Sequence, residues 1–360
     1  MPAVQMVPPA GMGREPGLLY VGSGDSVEER LAARAGVHFA AIETGQLRGR
    51  APWVVARNLW RMGRGLQRSQ QLMVRFAPDV VLVTGGYVCA PVVVAARRQG
   101  RPVLIYLPDV QPGLAIRWLS RLAQRVAVTC AEAARFFPGQ AVVTGYPVRA
   151  SLLQAAEDRP AARQAFGLEP QEKTLLVFGG SRGARRINQA LTVSLPQLLA
   201  VCQVIHISGE LDWPWVQAEA DRLPMDLRRR YRPFAYLHEE MAQALAAADL
   251  VVSRAGAATL GEYPALGLPS LLVPYPHAGR HQEANAQYLA SRGAAQVLDD
   301  AALGEKLLPA LLALLSDEAT LKRMGERAQA LARPEAAMRI VETLLELAQV
   351  SAKDETEETR

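Results

Sequence analysis

The stretch Asp249-Leu-Val-Val-Ser-Arg-Ala-Gly-Ala-Ala-Thr-Leu-Gly-Glu262 decides how the rest of the chain is interpreted. Its first part, Leu250 to Ser253, is typical of a buried parallel strand that emerges at the carboxyl edge of its sheet. In the turn from Arg254 to Ala258, every residue after the arginine is alanine or glycine, so a ligand could approach the backbone closely. Helical spacing from Thr259 to Leu266 places Glu262 in the first turns of a helix. This pattern predicts a doubly wound α/β fold with a ligand site at that edge of the sheet.

The next predicted strand brings further polar groups to the same edge. Leu271 to Pro274 is predicted to be that strand, and the loop after it carries His281 and Gln282. An acid behind a glycine turn can hold the two hydroxyls of a ribose, and the His-Gln pair adds more hydrogen-bonding groups. The alternative interpretation is that the small residues only allow close packing of helix on sheet, and that the polar residues form a solvated rim.

Other strand ends carry similar features. Lys173 to Phe178 is a continuous apolar run, followed by a glycine-rich turn at 179–184 and a helix that starts at Arg185. Unpaired N–H groups at a helix N-terminus, together with the helix dipole, favour a diphosphate there. The strand at 79–83 ends in Gly85-Gly86, a weaker example of the same pattern. Asp109 follows the strand at 102–106, where a carboxylate can act as a general base or simply cap a turn.

Composition limits the class of protein. At 360 residues with 50% apolar residues, the chain has room for two globular domains. The formal charge of +5, from 40 Lys and Arg against 35 Asp and Glu, favours anionic ligands or an anionic membrane surface, and the lack of a recognised motif disfavours nucleic acid. Cys89, Cys130 and Cys202 are widely spaced, which predicts reduced thiols in the cytoplasm. No metal-ligand cluster is visible in the sequence, and we expect no cofactor.

Any membrane contact is expected to be peripheral. No apolar run approaches the roughly 18 residues that span a bilayer, and the first residues lack the pattern of a signal peptide. The segment 53–76 has helical periodicity with arginines but no acidic residue. Its tryptophans beside arginines are typical of a helix at an anionic lipid surface. The alternative, which we favour for its second half, is an ordinary helix packed on the sheet.

Four sets of residues form a joint pattern: Gly85-Gly86-Tyr87-Val88, Gly145-Tyr146-Pro147-Val148-Arg149, Gly179-Gly180-Ser181-Arg182-Gly183-Ala184, and Ser253 to Glu262 with His281-Gln282. In order and spacing, this pattern resembles the MurG family of glycosyltransferases. The resemblance extends from about Leu18 to Ile340 and is more specific than any one motif. It implies the GT-B architecture, in which two Rossmann-like, doubly wound α/β domains face each other across a cleft.

The resemblance also implies a reaction. It is an inverting transfer of N-acetylglucosamine from UDP-N-acetylglucosamine (UDP-GlcNAc) to undecaprenyl-pyrophosphoryl-MurNAc-pentapeptide, which converts lipid I to lipid II in peptidoglycan synthesis. The enzyme would be peripheral, at the cytoplasmic face of the cell membrane. We expect an acceptor and membrane-facing domain at 1–148 joined by a C-terminal helix at 335–348, a UDP-sugar-binding domain at 149–333, and a disordered tail at 349–360.

Roles for individual residues follow from the same resemblance. Glu262 would accept the ribose hydroxyls, His238 would lie at the uracil, and His281 with Gln282 would read the sugar hydroxyls. The full set implied to bind the donor is Arg149, Gly180, Ser181, Arg182, Gly183, His238, Gly256, Ala257, Ala258, Thr259, Leu260, Gly261, Glu262, His281 and Gln282. The acceptor side would include Gly85, Gly86 and Tyr87. The membrane-facing residues would be Trp53, Val54, Arg57, Trp60, Arg61 and Trp118.

The chain departs from the family pattern at two places. The family begins with a strand, a Gly-Gly-Thr-Gly-Gly-His loop and a helix, whereas here only Val4 to Val7 resembles a short strand. An absent central strand would leave its neighbours with unpaired backbone groups, so we expect either that the true start lies upstream of Met1 or that the protein is a divergent relative. Tyr106-Leu107-Pro108-Asp109 replaces the family's His-Glu-Gln-Asn pattern. With the family's histidine absent, Asp109 is the general base that we can name.

Two other functions stay open at this stage. An enzyme similar to UDP-GlcNAc 2-epimerases would share the architecture and the donor site, although its acid-base residues have no counterpart that we can place. A divergent or truncated relative without transferase activity would bind the UDP-sugar and not turn it over. A titration with UDP, run beside a transfer assay with lipid I, would separate these possibilities.

Overall fold

Two separate open sheets organise the protein, one in each of two compact units. The structure is a computed structural model that describes residues 4–7, 17–24, 26–45, 52–180, 183–276 and 280–357, with backbone only at 4–7, 52, 54–56, 59 and 351–357. Unit 1 comprises Met1–Pro108, Pro112–Thr144 and Ala337–Arg360, and unit 2 comprises Asp109–Gln111 and Gly145–Ala336. The predicted α/β class with doubly wound sheets is confirmed.

Unit 1 contains a seven-stranded sheet. Its strands are β1 (Val4–Val7), β2 (Leu19–Gly22), β3 (His38–Ala41), β4 (Val80–Val83), β5 (Val103–Leu107), β6 (Arg125–Val128) and β7 (Ala141–Val143). The order across the sheet is β3-β2-β1-β4-β5-β6-β7, and every pair that does not involve β1 is parallel. Strands β4 and β5 are buried along their whole length, as expected for a parallel sheet covered on both faces.

Strand β1 corrects our expectation that the first domain lacks a central strand. It lies between β2 and β4 and is antiparallel to both, with Val4 opposite Val21 on one side and Val83 on the other. The two neighbours therefore have hydrogen-bonding partners at the position that we expected to be vacant. The sequence could not reveal this, because a run of four residues does not encode the direction in which it pairs.

The helices of unit 1 begin where local chemistry favours them. They are α1 (Val27–Arg34), α2 (Pro52–Phe76), α3 (Cys89–Arg98), α4 (Leu114–Leu119) and α5 (Ala131–Ala134). Ser26 caps α1, since its hydroxyl accepts a hydrogen bond from the N–H of Glu29 at 3.3 Å. The second half of α2 buries Leu72 and Met73 and packs against α3. Ordinary packing thus accounts for that half of the helix.

Unit 2 contains a six-stranded sheet in which every pair is parallel. Its strands are β8 (Thr174–Phe178), β9 (Gln203–Ile207), β10 (Tyr231–Phe234), β11 (Leu250–Ser253), β12 (Ser270–Leu272) and β13 (Ala295–Val297). The order is β10-β9-β8-β11-β12-β13. The direction of winding reverses between β8 and β11, and open α/β sheets bind ligands at the carboxyl ends of strands at such a point.

Helices cover this second sheet. They are α6 (Ala150–Glu157), α7 (Arg159–Ala165), α8 (Arg185–Leu199), α9 (Trp213–Asp221), α10 (Met225–Arg228), α11 (Met241–Ala247), α12 (Glu262–Leu266), α13 (His281–Ala290), α14 (Leu303–Ser316) and α15 (Glu318–Gln329). Helices α8 and α14 both place buried residues at helical spacing in one core, for example Ile187 and Leu191 with Leu307 and Leu311. This core fixes α8, and with it the turn that precedes α8.

One predicted boundary was wrong. The last helix, α16, runs over Ala336–Glu357, so 349–357, predicted to be a disordered tail, is helical. No glycine or proline interrupts the sequence after Ala336, and alanine, glutamate and lysine favour continuation of the helix. Residues 358–360 lie outside the described part of the chain.

Candidate active site

A pocket of about 880 Å³ lies at the carboxyl edge of the sheet in unit 2. Phe178 and Ser253, the last residues of β8 and β11, are paired in register, so the turns after these two strands lie side by side. Both turns contribute to the lining of the pocket. Among the residues implied to bind a donor, those that line it are Gly180, Gly183, Gly256, Ala258, Thr259, Glu262 and Gln282.

The first wall of the pocket is the glycine turn between β8 and α8. Gly180 and Gly183 have φ of +85° and +72°, which favours glycine. The N–H of Gly183 donates to the carbonyl of Gly180 at 2.9 Å, and a Cβ on Gly183 would lie 2.6 Å from the carbonyl oxygen of Ser208. The N-terminus of α8 follows at once, with a dipole that favours an anion. The predicted contacts Ser181 and Arg182 lie outside the described residues.

The second wall is the turn between β11 and α12. In place of the single helix predicted from Thr259, a 3₁₀ turn spans Ala257–Leu260 and the α-helix begins only after it. The hydroxyl of Thr259 donates to the carbonyl of Gly256 at 2.7 Å, which holds the turn closed. Gly256, Ala258 and Thr259 line the pocket, whereas Leu260 is buried in the core. The predicted contact residues of this turn therefore divide into lining and supporting residues.

Gly261 has a packing role. A Cβ on Gly261 would lie 2.5 Å from Cδ1 and 2.7 Å from Cβ of Tyr146, so the Tyr146 side chain rests directly on the backbone at this glycine. Burial, followed by the nearby carboxylates of Glu262 and Asp109, raises the pKa of Tyr146 to about 12. Tyr146 therefore stays protonated, and its segment is held against the turn that leads to Glu262.

Glu262 is one of two acids among the described residues that line the pocket, and it has a cationic partner. Its Oε1 accepts a hydrogen bond from Nη2 of Arg149 at 3.3 Å. The Glu262 side chain is only 16% exposed, whereas that of Arg149 is 53% exposed. Burial raises the pKa of Glu262, and the Arg149 guanidinium opposes this effect. A carboxylate with one partner keeps enough lone pairs to accept two hydroxyl groups.

The loop before α13 supplies the third wall. The side-chain carbonyl of Gln282 accepts from the N–H of Tyr275 at 2.8 Å, so Gln282 can offer a ligand its amide N–H₂ group. His281 does not line the pocket, and its Nδ1 lies 2.9 Å from the carbonyl oxygen of Gln111. Because a carbonyl only accepts, the proton of a neutral His281 is on Nδ1 and its Nε2 is an acceptor.

Asp109 belongs to unit 2 and is held there by Asn285. The fully buried Asn285 side chain donates through Nδ2 to Oδ1 of Asp109 at 2.8 Å and to the carbonyl of Ala255 at 3.1 Å. Its Oδ1 accepts from the N–H of Val110 at 3.0 Å. The segment Asp109–Gln111 is thus tied to the turn after β11. The sequence analysis gave Asn285 no role, because its partner lies too far away in sequence to be predicted.

His238 is not brought to the pocket. Its side chain is exposed after β10, with its ring centroid 4.7 Å from that of Tyr236 and its N–H donating to the carboxylate of Glu240. Among the described residues that line the pocket, His238 is absent. The predicted contact with a uracil base therefore stays a prediction.

Arginines form a basic wall that the sequence analysis did not assign. Arg185, Arg186 and Arg254 line the pocket, together with the buried Asp300. Asp300 pairs with Arg254 at 2.6 Å and with Arg186 at 3.1 Å. The guanidinium of Arg254 also lies over the aromatic ring of Tyr275, 5.3 Å from the ring centre. Arg254 stands in the turn that we quoted first, but its acidic partner comes much later in the chain.

The acceptor-side residues lie in unit 1, between β4 and α3. Gly85 and Gly86 have φ of +108° and +87°, a conformation that favours glycine, and the thiol of Cys89 donates to the carbonyl of Gly85. Tyr87 is 48% exposed. The backbone at this strand end is therefore shaped by glycine as the sequence predicted, and its role toward an acceptor stays a prediction.

The predicted membrane-facing residues also lie in unit 1. Trp53 and Trp60 on α2 are 75% and 63% exposed, and Trp118 on α4 is 53% exposed. Arg57 and Arg61 are exposed on α2. Val54 lies in α2, but its side chain is outside the described part. None of the helices in the described ranges combines the length and the apolar character needed to cross a bilayer.

Among the described residues, no group of three or more His, Cys, Asp or Glu side chains is placed so that it could hold a metal ion. The charged side chains among the described residues that line the pocket are those of Arg185, Arg186, Arg254, Glu262 and Asp300. A ligand that combines an anionic group with hydroxyl groups would match this arrangement.

Comparison with known proteins identifies relatives. The sequence matches the N-terminal domain of glycosyltransferase family 28 over residues 12–128 and the C-terminal domain of that family over residues 174–340. A Roseiflexus sp. (strain RS-1) protein, named UDP-N-acetylglucosamine--N-acetylmuramyl-(pentapeptide) pyrophosphoryl-undecaprenol N-acetylglucosamine transferase, is 42% identical over 91% of this chain and 83% of its own length. The protein of that name from Bacillus subtilis (strain 168) is 37% identical over 91% of this chain and 90% of its own length.

Solved structures agree in fold. The crystal structure of MurG from Acinetobacter baumannii matches with a TM-score of 0.70 and 27% identity, over 91% of this chain and 90% of that one. A UDP-GlcNAc 2-epimerase from Neisseria meningitidis, solved bound to UDP-GlcNAc, matches with a TM-score of 0.65 and 15% identity over 91% of both chains, which shows a shared fold alone.

Proposed function

The chain belongs to the MurG family within glycosyltransferase family 28, and we propose that it transfers N-acetylglucosamine from UDP-GlcNAc to lipid I to form lipid II. Relatives that carry this activity in their names are 42% and 37% identical over 91% of the chain. The structural observation that carries the proposal is the pocket in unit 2, where the glycine turn after β8 and Glu262 after β11 line one hollow. A nucleoside diphosphate needs both an anion cradle and an acceptor for ribose hydroxyls.

The donor is held by complementary groups. Backbone N–H groups at the start of α8 receive the diphosphate, and Glu262 accepts hydrogen bonds from the ribose hydroxyls. Arg149 keeps Glu262 in place through its 3.3 Å contact and adds positive charge beside the pocket. Gln282 presents its amide N–H₂ group to hydroxyls of the sugar.

The chemistry is a single displacement with inversion. A hydroxyl oxygen of the acceptor forms a bond to the anomeric carbon, the bond from that carbon to the UDP oxygen breaks, and the hydroxyl proton passes to a base. Negative charge develops on the departing diphosphate, where the helix N-terminus and nearby arginines stabilise it. Asp109 is our proposed base, and Asn285 positions it through the 2.8 Å hydrogen bond.

A membrane-facing surface on unit 1 would bring the enzyme to its lipid-linked acceptor. Trp53 and Trp60 are 75% and 63% exposed on a helix of 25 residues without an acid, and the guanidinium of Arg64 lies 5.0 Å from the ring centre of Trp60. Exposed tryptophans beside arginines suit the headgroup region of an anionic bilayer. We propose peripheral attachment at the cytoplasmic face of the membrane through this surface.

Vesicle binding tests the membrane proposal. The wild type should sediment with vesicles that contain anionic phospholipid and not with purely zwitterionic ones, and the double substitution Trp53→Ala, Trp60→Ala should reduce this binding. Val193→Ala, a change of an 80% exposed apolar residue in unit 2, is the matched control and should have no effect. Equal sedimentation of the double variant and the wild type would refute the role of these tryptophans.

A transfer assay tests the reaction itself. The full chain is incubated with UDP-GlcNAc labelled in the sugar and with lipid I in vesicles, and we expect label in the lipid fraction with release of UDP. Binding of UDP without transfer would instead support a UDP-sugar-binding relative without activity. Conversion of UDP-GlcNAc to its 2-epimer without acceptor would support the epimerase alternative.

A further inference from the structure

A buried chain of hydrogen bonds ends at Arg185, the first residue of α8. Nε of Arg185 donates to Oδ1 of Asp212 at 2.8 Å, and the Asp212 side chain is 5% exposed while that of Arg185 is 64% exposed. Arg185 also lines the pocket in unit 2. Among the described residues, none accepts a hydrogen bond from its two terminal nitrogens. Its guanidinium is therefore fixed on one side and open to solvent on the other.

The acid that fixes Arg185 is itself fixed from behind. Nδ2 of Asn188 donates to Oδ2 of Asp212 at 2.8 Å and to the carbonyl of Ser208 at 2.8 Å. Because both atoms are acceptors, the nitrogen of the Asn188 amide must face them and its Oδ1 must face the other way. Oδ1 lies 3.0 Å from Nε2 of the fully buried His206.

These constraints determine which atom carries the proton in each hydrogen bond of this network. Oδ1 of Asn188 accepts only, so Nε2 of His206 carries the ring proton and Nδ1 accepts from the hydroxyl of Tyr231 at 2.7 Å. Burial lowers the pKa of His206 to about 3, which keeps the ring neutral as this pattern requires. The donors thus run in one direction, from Tyr231 through His206 and Asn188 to Asp212, and all four side chains are buried.

The direction of these hydrogen bonds matters because the network ends on an anion, the carboxylate of Asp212. Burial alone would raise the pKa of the Asp212 carboxyl, but hydrogen bonds from Arg185, Trp215 and Asn188 outweigh burial and lower it. Buried polar networks are costly unless every member has its partners, and a complete network holds its members rigidly. A network of this kind that served the core alone would not need to extend to an exposed arginine at the edge of a ligand pocket.

We propose that Arg185 binds the diphosphate of the donor, and that Asp212 is a positioning residue that orients Arg185 for this contact. The proposal rests on the proposed function, because it names a further contact in the same donor site. Arginine presents its donors in a planar fork, so anchoring Nε on a carboxylate leaves the terminal nitrogens for phosphate oxygens. A lysine in this place would have charge but no such fork.

The test compares UDP with uridine, since only UDP carries the diphosphate. Both ligands are titrated calorimetrically into the full-length wild type, Arg185→Ala, Asp212→Asn and the double variant. For Arg185→Ala we expect UDP affinity to fall about tenfold or more, the range of a charge-assisted hydrogen bond, and uridine affinity to stay within about twofold. Asp212→Asn should also lower the UDP affinity, but by less. The UDP affinity of Arg185→Lys should lie between those of Arg185→Ala and the wild type.

The double variant shows whether Asp212 acts through Arg185. If it does, Asp212→Asn causes no further loss of UDP affinity once Arg185 is alanine. If Asp212 had a merely structural role, Asp212→Asn would lower the UDP affinity of Arg185→Ala further, and it would lower the uridine affinity as well. Arg228→Ala is the control, since Arg228 forms a similar but exposed pair with Asp221, 2.6 Å apart, away from the pocket.

The outcomes separate this inference from the proposed function. Unchanged UDP affinity in Arg185→Ala, or an equal loss for UDP and uridine, refutes the diphosphate contact even if the wild type transfers N-acetylglucosamine. Selective loss of UDP affinity supports it even if no transfer is detected, in which case the proposed function alone fails. A wild type that binds no UDP would refute both.

Discussion

The substitution Gly261→Ala should destabilise unit 2, and the structure sets the size of the effect. The added Cβ would lie 2.5 Å from Cδ1 of Tyr146, whereas carbon atoms pack best at about 3.5–4.0 Å. The overlap involves the root of the Tyr146 side chain, which cannot swing away like the end of a flexible chain. Overpacking of this kind costs about 1–3 kcal/mol, so we expect a loss of about 2 kcal/mol in the free energy of unfolding. Arg149 follows Tyr146 closely in the chain, and a displaced Tyr146 should also weaken UDP binding through the contact of Arg149 with Glu262.

Urea denaturation of the full chain measures the first effect, and titration with UDP measures the second. Gly256→Ala is the matched control in the same turn, because nothing lies within 4 Å of its added Cβ and its φ of −67° suits alanine. We expect its stability to stay within about 0.5 kcal/mol of the wild type, or to rise slightly. If Gly261→Ala is as stable as Gly256→Ala, the packing of Tyr146 on Gly261 is not what the structure indicates.

Three further predictions follow from the site and from the buried network. Glu262→Gln should lower the affinity for UDP and for uridine equally, by about tenfold, because it removes a charged hydrogen-bond acceptor for the ribose. The fold should be unharmed, because the substitution removes a buried charge. Calorimetric titration with both ligands checks this prediction. Asp109→Asn should abolish transfer and leave UDP affinity intact, and unchanged turnover would exclude Asp109 as the base. Burial lowers the pKa of His206 from 6.5 to about 3, so between these values the unfolded chain binds a proton that the folded chain does not. Stability should therefore fall as the pH falls from about 6.5, by up to about 1.4 kcal/mol per pH unit from this group, and His206→Gln should flatten that slope in urea denaturation across pH 4–7.

The features predicted correctly from sequence are those that local chemistry dictates. Gly180 and Gly183 follow a strand end and have a backbone conformation that glycine adopts readily, so the turn and the start of α8 at Arg185 could be predicted directly from the sequence. The apolar run from Leu250 to Ser253 likewise identified β11. Alternation of such strands with helices was sufficient to predict the doubly wound class.

The features missed depend on contacts between distant parts of the chain. Asp300 holds Arg254, and Asn285 holds Asp109, yet nothing in the local sequence of either acid indicates its partner. The direction of β1 was missed for a related reason, because pairing with both neighbours is decided by the sheet and not by the strand. Sequence patterns predict elements better than they predict which side chains meet.

The structure of the full chain crystallised with UDP tests the central claim most directly. We expect the ribose hydroxyls within hydrogen-bond distance of the Glu262 carboxylate, and the diphosphate against the backbone N–H groups at the start of α8. UDP bound elsewhere, with Glu262 and the glycine turn both free of the ligand, would contradict the donor site described above.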